Sequence, residues 1–357
     1  MTPKERLLNA ITGRETDRLP WAPILAYWWE AQPLEFQRQG GLEFLESIGA
    51  DPLFRGFYAP WKLNMSQTGY REIRKESEII ELFETPVGTL RLVRTYSPAG
   101  NTWFVSKHPV ETAEDLKTLQ WIYEHVQVEE DPMLEEELRK LGDRALALPL
   151  VGCEQKTCFQ SMVEKWVGTE NLAYLVADEP ELIEETLAVM QRPSMETARI
   201  CAEKSSAEAF IFFEDTSTTN INPTMFHDYI MPEIEQWADI LHASGKLLIH
   251  HACGHLRALL PLMAQTHVDA IESISPPPTG NVEMDTAFSI LPERIALIGG
   301  IEAVFFKDCT VPELEERVRY LEQLSQGRRY VLSNSDSCPP GVSLEKFRAV
   351  APLLRHD

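Results

Sequence analysis

The stretch LLIHHACGH, residues 247–255, ends a run of β-formers with an imidazole and a thiol two residues apart. Residues i and i+2 of a strand point to the same face, so His251 and Cys253 aim together while His250 aims the other way. Imidazole and thiolate are donors of the kind Zn2+ takes. A third donor is expected from the end of another strand. YVLSNSDSCPPGVSLEKF, residues 330–347, supplies Cys338, with Asp336 close beside it. His251, Cys253 and Cys338 are therefore the candidate metal ligands and catalytic residues. Glu214 and Asp215 in FFEDTSTTN, Glu272 in DAIESIS and Asp336 are candidate substrate-binding acids. Glu154, after LPLVGC, is a candidate fourth ligand, and His255 and His267 read as helix-surface residues.

These residues need elements that bring strand ends together. Strand candidates lie at 19–25 (LPWAPIL), 146–152, 209–215, 246–253, 269–275, 295–301 and 330–336. Helical stretches alternate with them, among them 180–204 and VPELEERVRYLEQLSQG, where Gly327 is the expected stop. Such alternation means a parallel sheet with helical crossovers. No GxGxxG or GxxxxGK[ST] follows the first strand, and the length suits a closed (β/α)8 TIM barrel. The C-terminal strand ends of such a barrel form the active-site mouth. A β-hairpin is expected over 84–110, with turns at Val87-Gly88 and Pro98-Ala99-Gly100, as an N-terminal insertion near that mouth. Tyr27, Trp28, Trp29 and Trp61 could line the mouth or fill the core. Trp28 is taken as a substrate contact.

The chain has 357 residues, 44% of them hydrophobic, and a formal charge of -22 from 55 acidic against 33 basic residues. Nucleic acid and anionic membrane surfaces both call for a basic footprint, so neither partner is expected. The N-terminus reads as a helix start and not a signal peptide, with Thr2 as N-cap, Pro3 at the first helical position and Glu5 closing a capping box. A cytoplasmic protein follows as the expectation. Six cysteines without a CxxC pair point to reduced thiols.

LLIHHACGHLRALLPLMAQTHVDAIESISPPPTGNVEM, IALIGGIEA and LSNSDSCPPGVSLEKFRAV resemble the uroporphyrinogen decarboxylase superfamily. The likeness begins at TPKERLLNAITGRETDRLP and runs along nearly the whole chain as a single domain, 1–357. Within the superfamily the chain is most similar to the zinc-dependent methylcobalamin:coenzyme M-type methyltransferases, whose pattern is H-x-C followed by a distant Cys. The resemblance implies a TIM barrel in which Zn2+ activates a thiol that takes a methyl group from a corrinoid. Methylcobalamin or a corrinoid protein would be the partner, together with a small methyl donor or acceptor; homo-oligomerisation stays open. Two departures stand out. The decarboxylases carry an R-x-x-G-R stretch after the first strand, where this chain reads ILAYWWEAQP without arginine. The family's distant Cys sits about where Asp336 stands, while Cys338 immediately precedes Pro339. The resemblance also covers O-demethylases that pass a methyl group from a methoxy-aromatic to a corrinoid protein, and a tetrapyrrole-binding protein without catalysis.

Overall fold

The computed structural model describes residues 1–98 and 102–355. In chain order the strands are β1 (Leu53–Phe57), β2 (Trp61–Asn64), β3 (Gly69–Arg74), β4 (Glu78–Thr85), β5 (Gly88–Ser97), β6 (Thr102–Lys107), β7 (Gln127–Glu130), β8 (Leu146–Pro149), β9 (Ala209–Glu214), β10 (Leu247–Ala252), β11 (Ala270–Glu272), β12 (Ala296–Ile301) and β13 (Tyr330–Asn334). β9 to β13 form one parallel sheet in the order β13-β12-β11-β10-β9, and β1 pairs in parallel with β8. Their sequences are almost wholly apolar because helices cover one face and the core fills the other.

The parallel segments follow one another as in a TIM barrel, but the ladder does not close. A single bridge, Leu150 to Ile211, joins the β1-β8 pair to the larger sheet. Another, Trp21 to Leu332, attaches the segment expected as the first strand. Between Trp21 and β1 the link is Asp51, whose backbone N–H donates to the Trp21 carbonyl at 2.6 Å. The Asp51 carboxylate is buried, accepts from the Trp21 N–H at 3.0 Å and pairs with Arg6 and with Arg18. β1 itself was not among the expected strands.

Local signals hold where they are strong. The helix Pro3–Thr12 starts at a capping box, with Glu5 N–H on Thr2 Oγ1 at 3.2 Å and Thr2 N–H on Glu5 Oε2 at 2.8 Å. The helix Pro180–Lys204 continues through its internal Pro193. The helix Val311–Leu324 ends before Gly327.

The expected hairpin is part of something larger. β3, β4, β5 and β6 make a four-stranded antiparallel sheet. Its β4–β5 turn pairs Thr85 with Gly88, close to the expected position. In the second expected turn, Ala99 and Gly100 lie outside the described residues. The sheet packs on the helix Ala113–His125, where a Cβ on Gly88 would stand 2.6 Å from Thr118 Oγ1, and Phe83 meets Trp166 with ring centres 5.2 Å apart. Among the described residues, no helix is long and apolar enough to cross a membrane.

Candidate active site

β10 places His250 and His251 on opposite faces. His251 turns inward beside Phe213 of β9, ring centres 5.0 Å apart, and its Nδ1 lies 2.9 Å from Glu272 Oε2. Glu272 is fully buried at the end of β11 and also accepts from Arg55 Nε. Burial pushes this carboxyl up, but Arg55 and His251 more than offset it, leaving it below the usual carboxylate range. An ionised carboxylate only accepts, so Nδ1 of His251 carries the proton and donates. Nε2 is left without a bonded partner among the described residues. Arg55 also donates to the Ala22 carbonyl at 3.0 Å and to Ser333 Oγ at 3.3 Å, tying β1 to the first segment and β13.

Cys253 follows one residue after β10 and is half-buried. Its Sγ lies 3.8 Å from the Glu214 carbonyl and 3.9 Å from Asp215 Oδ1. Burial pushes the thiol well up, and the carboxylates of Asp336, Asp215 and Glu164 push it further. Asp215 is raised as well, by burial first and then by Glu164 and Asp336. Cys253, Asp215, Asp336 and Glu164 thus share one electrostatic neighbourhood. Lys156 pairs with Glu164, which sits on the π-helical turn Met162–Trp166 and also accepts from Gln160 Nε2 at 2.8 Å. Gly254, at φ +87°, lets the chain pass Ser217, because a Cβ there would stand 2.7 Å from the Ser217 Cβ.

Backbone strain gathers in the same region. Gln155 after β8 has φ 66°, Ser273 after β11 has φ 76° and Ala26 has φ 36°. A non-glycine residue in this region costs about 1–3 kcal/mol, and such residues cluster at functional sites. Ser273 Oγ lies 3.3 Å from His251 Nδ1, and the Gln155 carbonyl accepts from the Phe213 N–H at 2.7 Å.

Other expected site residues stand elsewhere. Glu214 is buried on the outward side, accepting from Thr157 N–H at 2.9 Å and Thr157 Oγ1 at 2.5 Å, with His250 Nε2 at 3.5 Å. Burial raises its carboxyl, but His250 and Thr157 hold it below the usual range. Cys338 is fully buried, its Sγ 3.8 Å from the Pro339 carbonyl; burial pushes the thiol up to about 12, with Lys346 opposing. Its carbonyl accepts from the Trp28 N–H at 2.8 Å, which turns the loop toward the aromatic core.

Trp28 lies within that core, on the short helix Ala26–Glu30 and not on a strand. It packs against Phe347 and Phe44 at 4.7 and 5.2 Å and donates Nε1 to the Val342 carbonyl at 2.7 Å. Trp61 is buried too, donating to the Leu150 carbonyl at 3.1 Å. Glu154 is engaged by Lys165 at 2.8 Å. His255 and His267 are exposed, in loops and not on helices; His267 pairs with Glu235 at 2.6 Å.

Sequence reasoning missed Arg55, Lys156, Glu164 and Ser273. Only Arg55 left a signal, as a lone charge in the apolar run LFRGF.

The donor types suit zinc: an imidazole backed by a buried carboxylate, the usual support of a metal-binding histidine, and a thiol among carboxylates that a cation would balance. Among the described residues, however, no three His, Cys, Asp or Glu side chains are gathered as a metal-holding group. His251 is backed by Glu272 and Cys253 lies among carboxylates, with no third donor gathered beside them among the described residues.

The sequence profile of the uroporphyrinogen decarboxylase (URO-D) family matches residues 104–356. Comparison with curated protein sequences gave no match. Among solved structures, a methyltransferase from Methanosarcina mazei superposes with a TM-score of 0.62 at 15% identity, covering 99% of this chain and 98% of that one. At that identity the likeness is one of fold. A B12-independent methionine synthase from Shewanella, in complex with selenomethionine, gives a TM-score of 0.43 at 12% identity over 94% and 96% of the two chains, too low to carry an argument.

Proposed function

The chain belongs to the uroporphyrinogen decarboxylase family, and from that premise we propose that it is a zinc-dependent, corrinoid-linked methyltransferase. It moves a methyl group between methylcobalamin, free or on a corrinoid protein, and a small thiol. We take residues 1–357 as one barrel domain, with the antiparallel sheet as an appendage near its mouth. The observation that carries the reading is His251, held through Nδ1 by Glu272 at 2.9 Å, with Cys253 two residues further along the same strand end.

Charge favours methyl transfer over decarboxylation of a tetrapyrrole poly-acid. Arg55 and Lys156 are already paired with Glu272 and Glu164, while Asp215 and Asp336 add further negative charge beside Cys253. A substrate bearing several carboxylates would meet repulsion there.

His251 Nε2 and Cys253 Sγ are the first two zinc ligands in this reading. Asp336 is preferred to Cys338 as the third, because Asp336 acts on the Cys253 thiol whereas Cys338 is buried with Lys346 as its charged neighbour. Bound zinc supplies a Lewis acid that lowers the pKa of an incoming thiol. To hold zinc, Cys253 would have to give up its proton, and Asp215 Oδ1, 3.9 Å away, is the nearby carboxylate that could receive it. A bound methyl-corrinoid would supply the methyl group as a carbon electrophile, and the acceptor sulfur, having released its proton to solvent, would supply the electron pair of the new S–CH3 bond.

One observation favours an O-demethylase as the second reading. A crevice of about 330 Å³ runs beside β1, lined by Ile24, Leu25, Trp29, Phe54 and Arg55. It is apolar enough for a methoxy-aromatic. Two measurements test both readings: the zinc content of purified protein, and the absorbance of methylcobalamin with a panel of thiols, or of cobalt(I) corrinoid with methoxy-aromatics. Spectral change with a thiol supports the first reading, and change only with a methoxy-aromatic supports the second. Protein purified without chelators that holds no zinc, or a silent panel, overturns the proposal.

A further inference from the structure

The opposite end of the parallel strands holds a cavity of about 830 Å³. Arg294 and Arg329 stand just before β12 and β13, and Arg14 follows the helix Pro3–Thr12. Arg328 completes the lining cations. These four have no carboxylate partner among the described ion pairs.

Three of them are oriented by backbone carbonyls instead. Arg294 donates to Ala264 and Thr266 at 3.0 and 2.7 Å. Arg328 donates to the carbonyls of Phe288 and Leu291, the latter at 2.9 Å, and Arg329 donates to the Arg294 carbonyl at 2.8 Å. A carbonyl fixes a guanidinium without cancelling its charge. Gly13, at φ +78°, makes room for one of them, since a Cβ there would stand 2.6 Å from Arg329 Nε. Glu15 and Glu293 also line the cavity, supplying acceptors for hydroxyl or amino groups.

The geometry points to a binding site for a phosphorylated small molecule of mononucleotide size, separate from the mouth. Guanidiniums that form no ion pair, three of them held in place by backbone carbonyls, are groups suited to recognising phosphate, and the volume lies in the range of small-molecule pockets. The carboxylates suit the hydroxyls of a sugar. In a barrel this face carries stability and not chemistry, so a ligand here acts by stabilising the fold.

Thermal unfolding and calorimetry with inorganic phosphate, ADP and adenosine, at matched ionic strength, test the site. ADP should raise Tm by a few degrees in a saturable way, and adenosine should not. Saturable binding of inorganic phosphate alone would also support the site, as one that reads only the phosphate group. Arg14→Ala, whose side chain has no bonded partner among the described residues, should leave Tm unchanged without ligand and weaken binding at least tenfold. Arg294→Ala should weaken it too. Three results would overturn the site: no binding of either phosphate-bearing probe, equal binding of adenosine and ADP, or unchanged affinity in Arg14→Ala. A change of oligomeric state in Arg14→Ala would likewise overturn it, by assigning the arginines to a subunit contact.

Discussion

His250 and His251 are neighbours in sequence, and each faces a fully buried glutamate, yet they sit in different worlds. His250 points outward, stacked on Phe212 at 4.5 Å, with Thr216 Oγ1 at 3.2 Å and Glu214 at 3.5 Å from its Nε2. Its Nδ1 has no partner among the described residues and is sealed from solvent. His251 points inward, bonded only through Nδ1, with its ring at the edge of the mouth. The two-residue period of a strand makes this difference. One His–Glu pair fastens β10 to β9 on the outer face of the sheet; the other leaves Nε2 without a bonded partner among the described residues. Residue type alone does not mark a site, and the unsatisfied atom and where it faces matter more.

Exchanging the roles in a pair of variants gives the largest contrast. His251→Ala should empty the site of metal and lower methyl transfer by more than about a hundredfold, the loss expected when a group acting directly in catalysis goes. Its Tm should stay near wild type. His250→Ala should do the reverse, losing the Phe212 stack and leaving Glu214 short of a partner at a cost of about 2–4 kcal/mol, while metal content holds. Metal analysis and thermal unfolding of both proteins decide it. A common loss of both properties would erase the distinction between the faces.

Arg55 sharpens the inner side. Arg55→Met keeps much of the stem's volume but leaves Glu272 buried without its cation, which should cost about 3–5 kcal/mol in chemical denaturation. Restoring neutrality with Glu272→Gln in the same chain should recover part of that loss, though His251 then loses its anionic anchor and zinc affinity should fall about 10–100-fold. Stability recovering while metal affinity stays low is the pattern expected of a positioning pair. If the double variant is no more stable than Arg55→Met, the charge argument fails.

The outer side has a pH signature of its own. Glu233, on the helix Met231–His242, is fully buried and accepts from Ser194 Oγ at 2.6 Å and Cys158 N–H at 2.8 Å. Burial raises its carboxyl to about 7 despite those bonds. The folded protein therefore holds this proton more tightly than the unfolded chain, whose carboxyl titrates near 4.5. Its contribution to stability is complete below pH 4.5 and is lost as pH rises through 7. The loss is on the order of 3 kcal/mol. Glu233→Gln should flatten stability against pH in that window, and an unchanged slope would show that the carboxyl titrates normally.

Sequence legibility followed burial. β9, β10, β12 and β13 were expected within two residues at each end, since parallel strands covered on both faces leave continuous apolar runs, whereas β11 stops at Glu272, three residues short of the expected end. β1 was missed because LFRGF carries a charge and a glycine. Its arginine is the residue that reaches Glu272 from across the sheet, and no local pattern reports a contact over 217 positions. β3, GYREIR, is exposed throughout, so it shows no apolar alternation and the sheet read as a hairpin. AYWWE looked like mouth aromatics because five residues are too few to reveal a helix; its Trp28 is held by Phe44 and Phe347, far along the chain. The i, i+2 spacing on one strand end is what singles out His251 and Cys253 in the sequence. What separates Asp336 from Cys338 is the path of one loop after β13, which spacing cannot give.

That loop yields the smallest expected effects. Cys338 lies in the core, and Cys338→Ala removes one buried sulfur at a cost of about 1 kcal/mol, with zinc content unchanged. Asp336 is half-buried, and its carboxylate raises the Cys253 thiol. Asp336→Asn removes that charge with little change of shape, so stability should move by less than about 0.5 kcal/mol. Without bound metal, the Cys253 thiol should then react faster with a thiol reagent at pH 8, because one of the carboxylates opposing its ionisation has gone. With metal, zinc retention should weaken, as expected when a ligand is lost. Thiol labelling of the metal-free protein and zinc titration with a competing chelator read the two effects separately. If Cys338→Ala sheds zinc and Asp336→Asn keeps it, the loop must turn the other way when metal binds, and Cys338 is the third ligand after all.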